Sequence, residues 1–208
     1  MKIFTLISHG IRYVKRYIYG FFVGLQFSHR GKKSYIKSPC TIIGGENITV
    51  GDFFACGNGC RIEAWSKYKG ESFSPKICIG NNVRLGNNCH IGAIGKVKID
   101  HNVLMGSNIF ITDHFHGNTS LDDLRKPPLE RSLFHKGEVH IEECVWIGDS
   151  VSIMPGVTIG KNSVVGANSV VTKNIPAYSV AVGNPARVIK SYWDEMNTDE
   201  KCRDNVTL

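Results

Sequence analysis

An aliphatic residue recurs at every sixth position over much of this 208-residue chain. Six such residues follow one another in the C-terminal third: Ile141, Ile147, Ile153, Ile159, Val165 and Val171. Shorter runs with the same spacing lie upstream, at Val50, Cys56 and Ile62, at Ile79, Leu85 and Ile91, and at Ile99, Met105 and Ile111. A period of six fits neither an α-helix, which has 3.6 residues per turn, nor an alternating strand, which has a period of two.

The repeat predicts an all-β fold, a triangular prism of about five coils over residues 46–190. Each repeat would supply one short strand and one corner, and three repeats would complete a triangular coil. The aliphatic side chains would point inwards and stack on those of the next coil, about 4.8 Å away. Gly and Asn follow many of these positions, as in Gly80-Asn81-Asn82 and Gly160-Lys161-Asn162, and they tolerate the positive φ of tight corners.

Two segments interrupt the repeat, residues 64–76 and residues 117–138. The second contains Pro127-Pro128 and mixed charges, which exclude a buried strand. A β-helix accommodates such insertions only as loops that leave the prism at a corner. Long ordered loops usually carry function, so we expect residues 117–138 to help define a binding site.

The formal net charge of +7 belongs to the N-terminal segment, residues 1–45, which contains eight basic and no acidic residues. The rest of the chain is close to neutral, and it contains no nucleic-acid recognition motif, so we expect no nucleic-acid partner. Apolar residues in 1–27 follow a nearly helical spacing with Arg12, Lys15 and Arg16 between them. Such a helix could lie on an anionic membrane surface or pack on the prism or a neighbouring subunit; both alternatives stay open.

Seven cysteines, an odd number without paired metal-ligand spacing, do not indicate a disulfide framework. A reducing cytoplasm fits this composition, and the basic segment would place the protein at the inner face of the membrane. No apolar run reaches the roughly 18 residues needed to cross a bilayer. Residues 191–208 would form a tail with a short C-terminal helix.

The C-terminal repeats resemble a known family. The stretches 145–160 (VWIGDSVSIMPGVTIG), 164–176 (VVGANSVVTKNIP) and 182–189 (VGNPARVI) are similar to hexapeptide-repeat acyltransferases, most of all to the maltose and galactoside O-acetyltransferase branch, which includes bacterial polysaccharide O-acetyltransferases. The resemblance covers about residues 46–190. It implies a left-handed β-helix, a homotrimer, and acetyl-CoA bound between neighbouring subunits. It also implies acetyl transfer to the hydroxyl of a sugar or saccharide in surface polysaccharide or glycolipid synthesis.

Acetyl transfer to a hydroxyl needs a base, and histidine is the natural one near neutral pH. An ungapped match to the family places the catalytic histidine at His116, and a match with one gap places it at His114; we favour His116, with Asp113 or a backbone carbonyl orienting the ring. The related γ-type carbonic anhydrases bind zinc through three histidines, but the His-x-His spacing here does not match their pattern. We therefore expect no metal cofactor.

The resemblance also implies donor and acceptor positions. Trp146 would line the channel for the acetyl group and pantetheine, and Asp149 and Ala167 would meet CoA through backbone groups. The nucleotide and its phosphates would be held by Thr172, Lys173, Arg187 and Lys190, as cations suit phosphates. A substrate-binding Asn of the sugar transferases aligns with Gly86, so the adjacent Asn87 and Asn88 are the candidates for acceptor binding. Two other functions stay open: N-acetylation of an amino sugar nucleotide, and a non-catalytic trimeric scaffold at the membrane.

Overall fold

Three parallel sheets form the three faces of a prism. The computed structural model describes residues 18–193 and residue 195, and all statements below concern these residues. The first and third faces described below have six strands each, and the second has eight. Within each face, every strand up to β23 pairs in parallel with the strand of the next coil, so the architecture is a parallel β-helix, with the stacked coils that the repeat predicted.

The first face contains β1 (His29–Arg30), β4 (Ile48–Val50), β9 (Lys76–Ile79), β12 (Lys96–Ile99), β17 (Val139–Ile141) and β20 (Thr158–Ile159). The second face contains β2 (Tyr35–Ile36), β5 (Ala55–Cys56), β10 (Arg84–Leu85), β13 (Leu104–Met105), β18 (Trp146–Ile147), β21 (Val164–Val165), β23 (Ser179–Val182) and β24 (Arg187–Ser191). The third face contains β3 (Cys40–Ile43), β6 (Cys60–Ala64), β11 (His90–Ala93), β14 (Phe110–Thr112), β19 (Ser152–Ile153) and β22 (Val170–Val171).

The aliphatic residues of the repeat fill the interior of the prism. Ile91, for example, is paired with Ile62 on one side and with Ile111 on the other, and all three are fully buried. The corners have the predicted chemistry, because Asn82, Asn102 and Asn162 all adopt a left-handed φ of 55–59°. Side chains also bond along a corner, since Asn82 Nδ2 donates to Asn102 Oδ1 at 3.1 Å.

The β-helix begins before residue 46, where the sequence analysis placed its boundary. Strands β1, β2 and β3 form an additional coil that pairs with β4, β5 and β6. In this coil Arg30 stands where the next coil has Val50, and it donates to the carbonyl oxygens of Phe21 and Ser34. Arg30 is charged where the repeat has an aliphatic residue, and the 3₁₀ helix η1 (Gly45–Asn47) shifts the six-residue spacing before the next coil. A search for aliphatic periodicity therefore does not find this coil.

The N-terminal end of the prism is covered by helix α1, of which residues 18–24 are described. Val23 of this helix and Phe27, which lies just after the helix, are buried in the core, whereas Phe21 and Phe22 are 50% and 64% exposed. The rest of the predicted N-terminal helix, residues 1–17, lies outside the described residues. So does most of the predicted tail and C-terminal helix.

Both interruptions of the repeat are outward loops, as expected. The first contains the hairpin of β7 (Lys67–Tyr68) and β8 (Glu71–Ser72). The second begins with β15 (His114–His116), continues through α2 (Leu121–Leu124) and the 3₁₀ helix η2 (Pro128–Glu130), and returns with β16 (Leu133–His135), which pairs antiparallel with β15. Neither loop disturbs the sheets, since β4 pairs with β9 and β12 with β17 in the same register as uninterrupted coils.

At the C-terminal end, β24 turns back and pairs antiparallel with β23. Within the part of the chain that the structure describes, no helix is long and apolar enough to cross a membrane.

Candidate functional site

A cavity of about 390 Å³ lies on the outer surface of the third face, between the two loops. Its floor is formed by outward-facing residues of β6, β11 and β14, and its walls by residues of the hairpins. The lining residues are Arg61, Glu63, Trp65, Tyr68, His90, Gly92, Phe110, Thr112, His114, Phe115, His116 and Leu133.

Gly92 forms the open centre of this floor. A side-chain carbon at residue 92 would lie 3.6 Å from His90 Nε2 and 3.6 Å from His114 Cε1. The two imidazole rings therefore both border the same point above the glycine. The absence of a side chain leaves room for a small group between two histidines.

His114 is held by the carboxylate of Asp113. Its Nδ1 lies 2.9 Å from Asp113 Oδ1 and 3.2 Å from the hydroxyl of Thr112. Because an ionised carboxylate only accepts hydrogen bonds, this contact places the proton of neutral His114 on Nδ1. Nε2 then has a free lone pair, which is the state that a general base needs.

Asp113 is fixed in turn by the backbone. Its side chain is fully buried (0% exposed), and its two oxygens accept hydrogen bonds from the N–H groups of Ile94 and Gly95, at 3.0 and 2.8 Å. The Nε2 atom of His135, from β16, lies 3.6 Å from the second oxygen. Asp113 thus has the surroundings of a permanently positioned carboxylate, and the ring that it contacts is that of His114.

His116 also lines the cavity but has different surroundings. It is solvent-exposed at the end of β15, and its ring lies 5.7 Å from that of Tyr68 in an edge-on arrangement. No carboxylate orients it among the described residues. The structure brings His114, His116 and Asp113 together at one site, and the geometry of a positioned base is that of His114.

A second histidine–carboxylate pair lies in the cavity, and it was not predicted from the sequence. Glu63, 3% exposed, receives two hydrogen bonds from Arg61, at 2.8 and 3.1 Å, and lies 3.2 Å from His90 Nε2. Trp65 Nε1 donates to the same carboxylate at 3.3 Å. No local signal could reveal this cluster, because Glu63 and His90 come from strands on either side of the first loop.

Burial and the neighbouring charges together set the ionisation of Glu63 and His90. Burial alone would raise the pKa of Glu63, but the hydrogen bonds and charges of Arg61 and His90 outweigh it and hold that pKa below its usual value. Burial lowers the pKa of His90, and the nearby Glu63 offsets this only in part. At neutral pH Glu63 is therefore a carboxylate and His90 a neutral imidazole.

The two loops meet over one side of the cavity. The hydroxyl of Ser132, in the second loop, donates to Glu71 in the first. Aromatic side chains from both contribute to the walls: Trp65 and Tyr68 from the first, Phe115 from the second, with Phe110 on the floor. Such surfaces match the apolar faces of small organic molecules, while the histidines supply polar contacts.

The predicted donor residues lie elsewhere on the same chain. Trp146 is on β18, on the second face, and its side chain is 55% exposed beside Leu104. Asp149 and Ala167 are at corners, where Asp149 Oδ1 accepts from the backbone N–H of Ser107 at 2.5 Å. The remaining predicted donor residues are exposed at the C-terminal end of the prism: Thr172, Lys173, Arg187 and Lys190.

Asn87 and Asn88, the predicted acceptor residues, do not line the cavity. Both form the corner between β10 and β11. Asn87 Oδ1 accepts from the backbone N–H of Asn58, at 3.0 Å, and Asn88 Nδ2 donates to Asn108 Oδ1, at 3.3 Å. Their amides therefore stabilise successive coils, and the polar residues that face the cavity instead are Arg61, Glu63 and His90.

Metal ligands are not assembled in this part of the protein. Across residues 18–193, no group of three or more His, Cys, Asp and Glu side chains has an arrangement that could hold a metal ion.

Known proteins with similar sequences and structures share this repeat. The family model for bacterial transferase hexapeptide (six repeats) matches residues 138–173. Over 170 residues the chain is 37% identical to a protein of Escherichia coli K12 that is provisionally assigned as the lipopolysaccharide biosynthesis O-acetyl transferase WbbJ; the match covers 80% of this chain and 83% of that protein. The chain is also similar to a maltose O-acetyltransferase from Clostridium difficile 630, with 30% identity, a TM-score of 0.54, and coverage of 80% of this chain and 71% of that one.

The fold alone is shared with a more distant protein. A variant of AntD, an N-acyltransferase from Bacillus cereus solved with dTDP and Coenzyme A, has 19% identity and a TM-score of 0.66, over 85% of this chain and 92% of that one. The architecture is thus the left-handed parallel β-helix of hexapeptide-repeat acetyltransferases. The extent of the match to the E. coli protein and the repeat geometry lead to one conclusion: this chain belongs to the hexapeptide-repeat transferase family, as the resemblance of its C-terminal repeats predicted.

Proposed function

We propose that this protein is an acetyl-CoA-dependent O-acetyltransferase that acts on a sugar hydroxyl in surface polysaccharide or glycolipid synthesis, with His114 as the general base. The observation that carries the proposal is the His114–Asp113 pair in an aromatic-walled cavity, with His114 among its lining residues. The similarity to O-acetyltransferases of lipopolysaccharide and maltose supports the choice of reaction and acceptor.

The reaction follows from the free lone pair on His114. An alcohol attacks a thioester poorly until its proton is removed, because its pKa lies far above 7. His114 Nε2 takes the proton of the acceptor hydroxyl while the hydroxyl oxygen attacks the thioester carbonyl. The C–S bond then breaks, and the proton passes from Nε2 to the CoA sulfur. Asp113 holds the ring in the required tautomer and stabilises the transient imidazolium.

A screen with radiolabelled acetyl-CoA tests this function. Free sugars, methyl glycosides, amino sugar nucleotides and serine would be offered as acceptors, and the labelled products separated. We expect label on a hydroxyl, released by mild base. Label on an amine, stable to base, would support the N-acetyltransferase alternative. Failure to bind CoA in calorimetry would favour the non-catalytic scaffold.

We propose further that the complete site forms between subunits of a homotrimer. On one chain, Trp146 and the histidine cavity lie on different faces of the prism. Exposed apolar residues beside Trp146, such as Leu104, are typical of a surface that a second subunit covers. A neighbouring copy would bring its second face, with the donor residues, against the cavity of the first.

Mixed trimers of two inactive variants test this arrangement. His114→Ala and Trp146→Ala chains with different tags would be co-expressed and purified over both tags. If His114 and Trp146 come from different subunits, each mixed trimer retained by both tags has one complete site of three, so about a third of the wild-type rate is restored. The matched control mixes His114→Ala with Asp113→Asn, which lie on the same side of the site and should not complement. Equal, low activity in both mixtures would contradict the shared site.

Lys173 is proposed to contact the 3′-phosphate of CoA. Removing a cation that faces a phosphate weakens binding through one charge-assisted contact. We expect Lys173→Ala to lower kcat/KM for acetyl-CoA about tenfold, while the rate with 3′-dephospho-acetyl-CoA stays at the wild-type level. The control is Lys76→Ala, an exposed lysine on the first face. An equal loss with both donors would remove the phosphate contact and leave a structural role for Lys173.

Peripheral membrane association through residues 1–27 is the final part of the proposal. Residues 1–17 lie outside the described residues, but the helical residues 18–24 expose Ile18, Phe21 and Phe22. We expect Phe21→Ser with Phe22→Ser to reduce sedimentation with phosphatidylcholine/phosphatidylglycerol vesicles several-fold, since apolar side chains enter the interface. Leu121→Ser, in the second loop, is the control. Undiminished sedimentation would contradict a membrane contact by Phe21 and Phe22, and a changed oligomer size would indicate subunit contact instead.

A further inference from the structure

His90 has a defined hydrogen-bonding capacity that the proposed acetyl transfer does not use. Glu63 accepts from the Nε2 side of the ring, and Arg61 and Trp65 donate to Glu63 and hold it in place. Arg61, Trp65 and His90 together hold the two oxygens of this buried carboxylate, which keeps it directed at the imidazole. The carboxylate therefore holds the ring of His90 in one orientation at the cavity.

The contact with Glu63 also fixes the tautomer of His90. The carboxylate requires a proton on Nε2, and burial keeps the ring neutral near pH 7 because it lowers the pKa of His90. Nδ1 then carries a lone pair and can only accept a hydrogen bond. Among the described residues, no group donates to this nitrogen.

The position of His90 relates this acceptor to the reacting hydroxyl. His90 Nε2 and His114 Cε1 are each 3.6 Å from the point where a side chain at residue 92 would begin, and His90 Nδ1 is bonded to the same ring carbon as Nε2, so both imidazoles border this part of the floor. Two hydroxyls on neighbouring carbons of a sugar ring can then each bond to one of the two histidines, at the usual length of about 2.8 Å. The open floor at Gly92 is where such a group would lie.

We propose that His90 accepts a hydrogen bond from a second hydroxyl or amine next to the reacting hydroxyl, so that the enzyme selects acceptors with two adjacent donors, such as a vicinal diol. Glu63 is the positioning residue that keeps the acceptor nitrogen of His90 free. The inference rests on the proposed acetyl transfer by His114. A site with a fixed polar group discriminates strongly against a substrate that lacks the matching partner, because the buried group is then left unpaired.

The first test does not depend on the substrate. Nitrogen-15 correlation spectra of the imidazoles at pH 7 would give the protonation of each ring nitrogen. We expect His90 as the neutral Nε2–H tautomer in the wild-type protein and a loss of this preference in Glu63→Gln. A proton on Nδ1 of His90, or a doubly protonated ring, would overturn the inference.

The second test uses methyl glycosides with single hydroxyls replaced by hydrogen. For the methyl glycoside that the wild-type protein acetylates fastest, we expect one deoxy analogue, next to the acetylated position, to lose about 10- to 100-fold in kcat/KM. His90→Phe should lower kcat/KM for the parent glycoside by a similar factor. For the His90→Phe variant itself, replacing the parent glycoside by the deoxy analogue should lower kcat/KM by less than about threefold. His90→Asn, which keeps an acceptor near the position of Nδ1, should recover part of the preference.

His140→Phe is the matched control, because His140 is likewise paired with a carboxylate, Asp100, at 2.7 Å, but on another face of the prism. It should keep the wild-type preference and KM for acetyl-CoA. If His90→Phe discriminates against the analogue as strongly as the wild type does, His90 does not read the second hydroxyl. If the wild type acetylates none of the glycosides, sugar O-acetylation fails as a function, and the tautomer measurement alone decides the hydrogen-bonding role of His90.

Discussion

The His114→Ala variant is expected to lose about 10²- to 10⁴-fold in kcat, the usual contribution of a positioned general base. His114 Nδ1 is bound to buried Asp113, and its Nε2 is available to take a proton, whereas His116 is exposed at the rim. We therefore expect His116→Ala to lower kcat less than about tenfold. Release of CoA with a thiol reagent measures both rates.

The paired variants decide between the two histidines. Because His114 is on the cavity surface and outside the core of the prism, substitution by Ala should leave the melting temperature close to that of the wild type. A large loss with His116→Ala and near-normal turnover with His114→Ala would reverse the assignment and favour the histidine indicated by the ungapped family match. If both variants lose turnover while their melting temperatures are unchanged, the result would indicate that His116 contacts the acceptor.

The second large effect is expected from Asp113→Asn. The carboxylate accepts from Ile94 N–H, Gly95 N–H and His114 Nδ1, and an amide has only one oxygen with which to meet them. The amide NH₂ would instead favour a proton on His114 Nε2, which blocks the base. By analogy with carboxylate–histidine pairs in hydrolases, we expect kcat to fall about 10²- to 10⁴-fold. One unpaired backbone donor should also destabilise the protein by about 1–3 kcal/mol.

Asp100→Asn separates these two contributions. Asp100 also binds a histidine, His140, and it forms an ion pair with Lys98 at 2.9 Å, but it lies outside the cavity. The Asp100→Asn substitution should lower the free energy of unfolding modestly and leave kcat unchanged. If Asp113→Asn loses stability but keeps kcat, Asp113 supports only the loop, and the orientation of His114 does not depend on it.

The fold was largely predictable because the period of six is a local property. Each aliphatic position from Ile79 to Ile111 is buried, and the corner asparagines have the left-handed φ that their spacing predicted. The first coil escaped detection because Arg30 replaces an aliphatic residue and is satisfied by carbonyl oxygens of α1 and its own coil. Such compensation depends on tertiary contacts and leaves no periodic signal.

The site was predictable only in part. The motif around His114 and Asp113 is contiguous, so a family match could find it, although choosing between His114 and His116 requires the strand geometry. Glu63 and His90 are 27 residues apart and meet across two strands, so their partnership depends on how the first loop is accommodated. Asn87 and Asn88 illustrate the opposite case: adjacency to the aligned position suggested a binding role, but their amides bond to neighbouring corners.

The unchanged strand register across both loops has a consequence for how this scaffold can diversify. The coils on either side of each loop stack as if the loop were absent, because both of its ends lie on one prism edge. Lengthening such a loop costs only about 0.6 kcal/mol for each doubling. The distal parts of the cavity walls can therefore be exchanged, while His90 on the floor and His114 at the base of the second loop, held through Asp113 to the backbone of Ile94 and Gly95, keep their positions. In this architecture the chemistry is carried by the rigid stack and the choice of partner molecule by two replaceable segments.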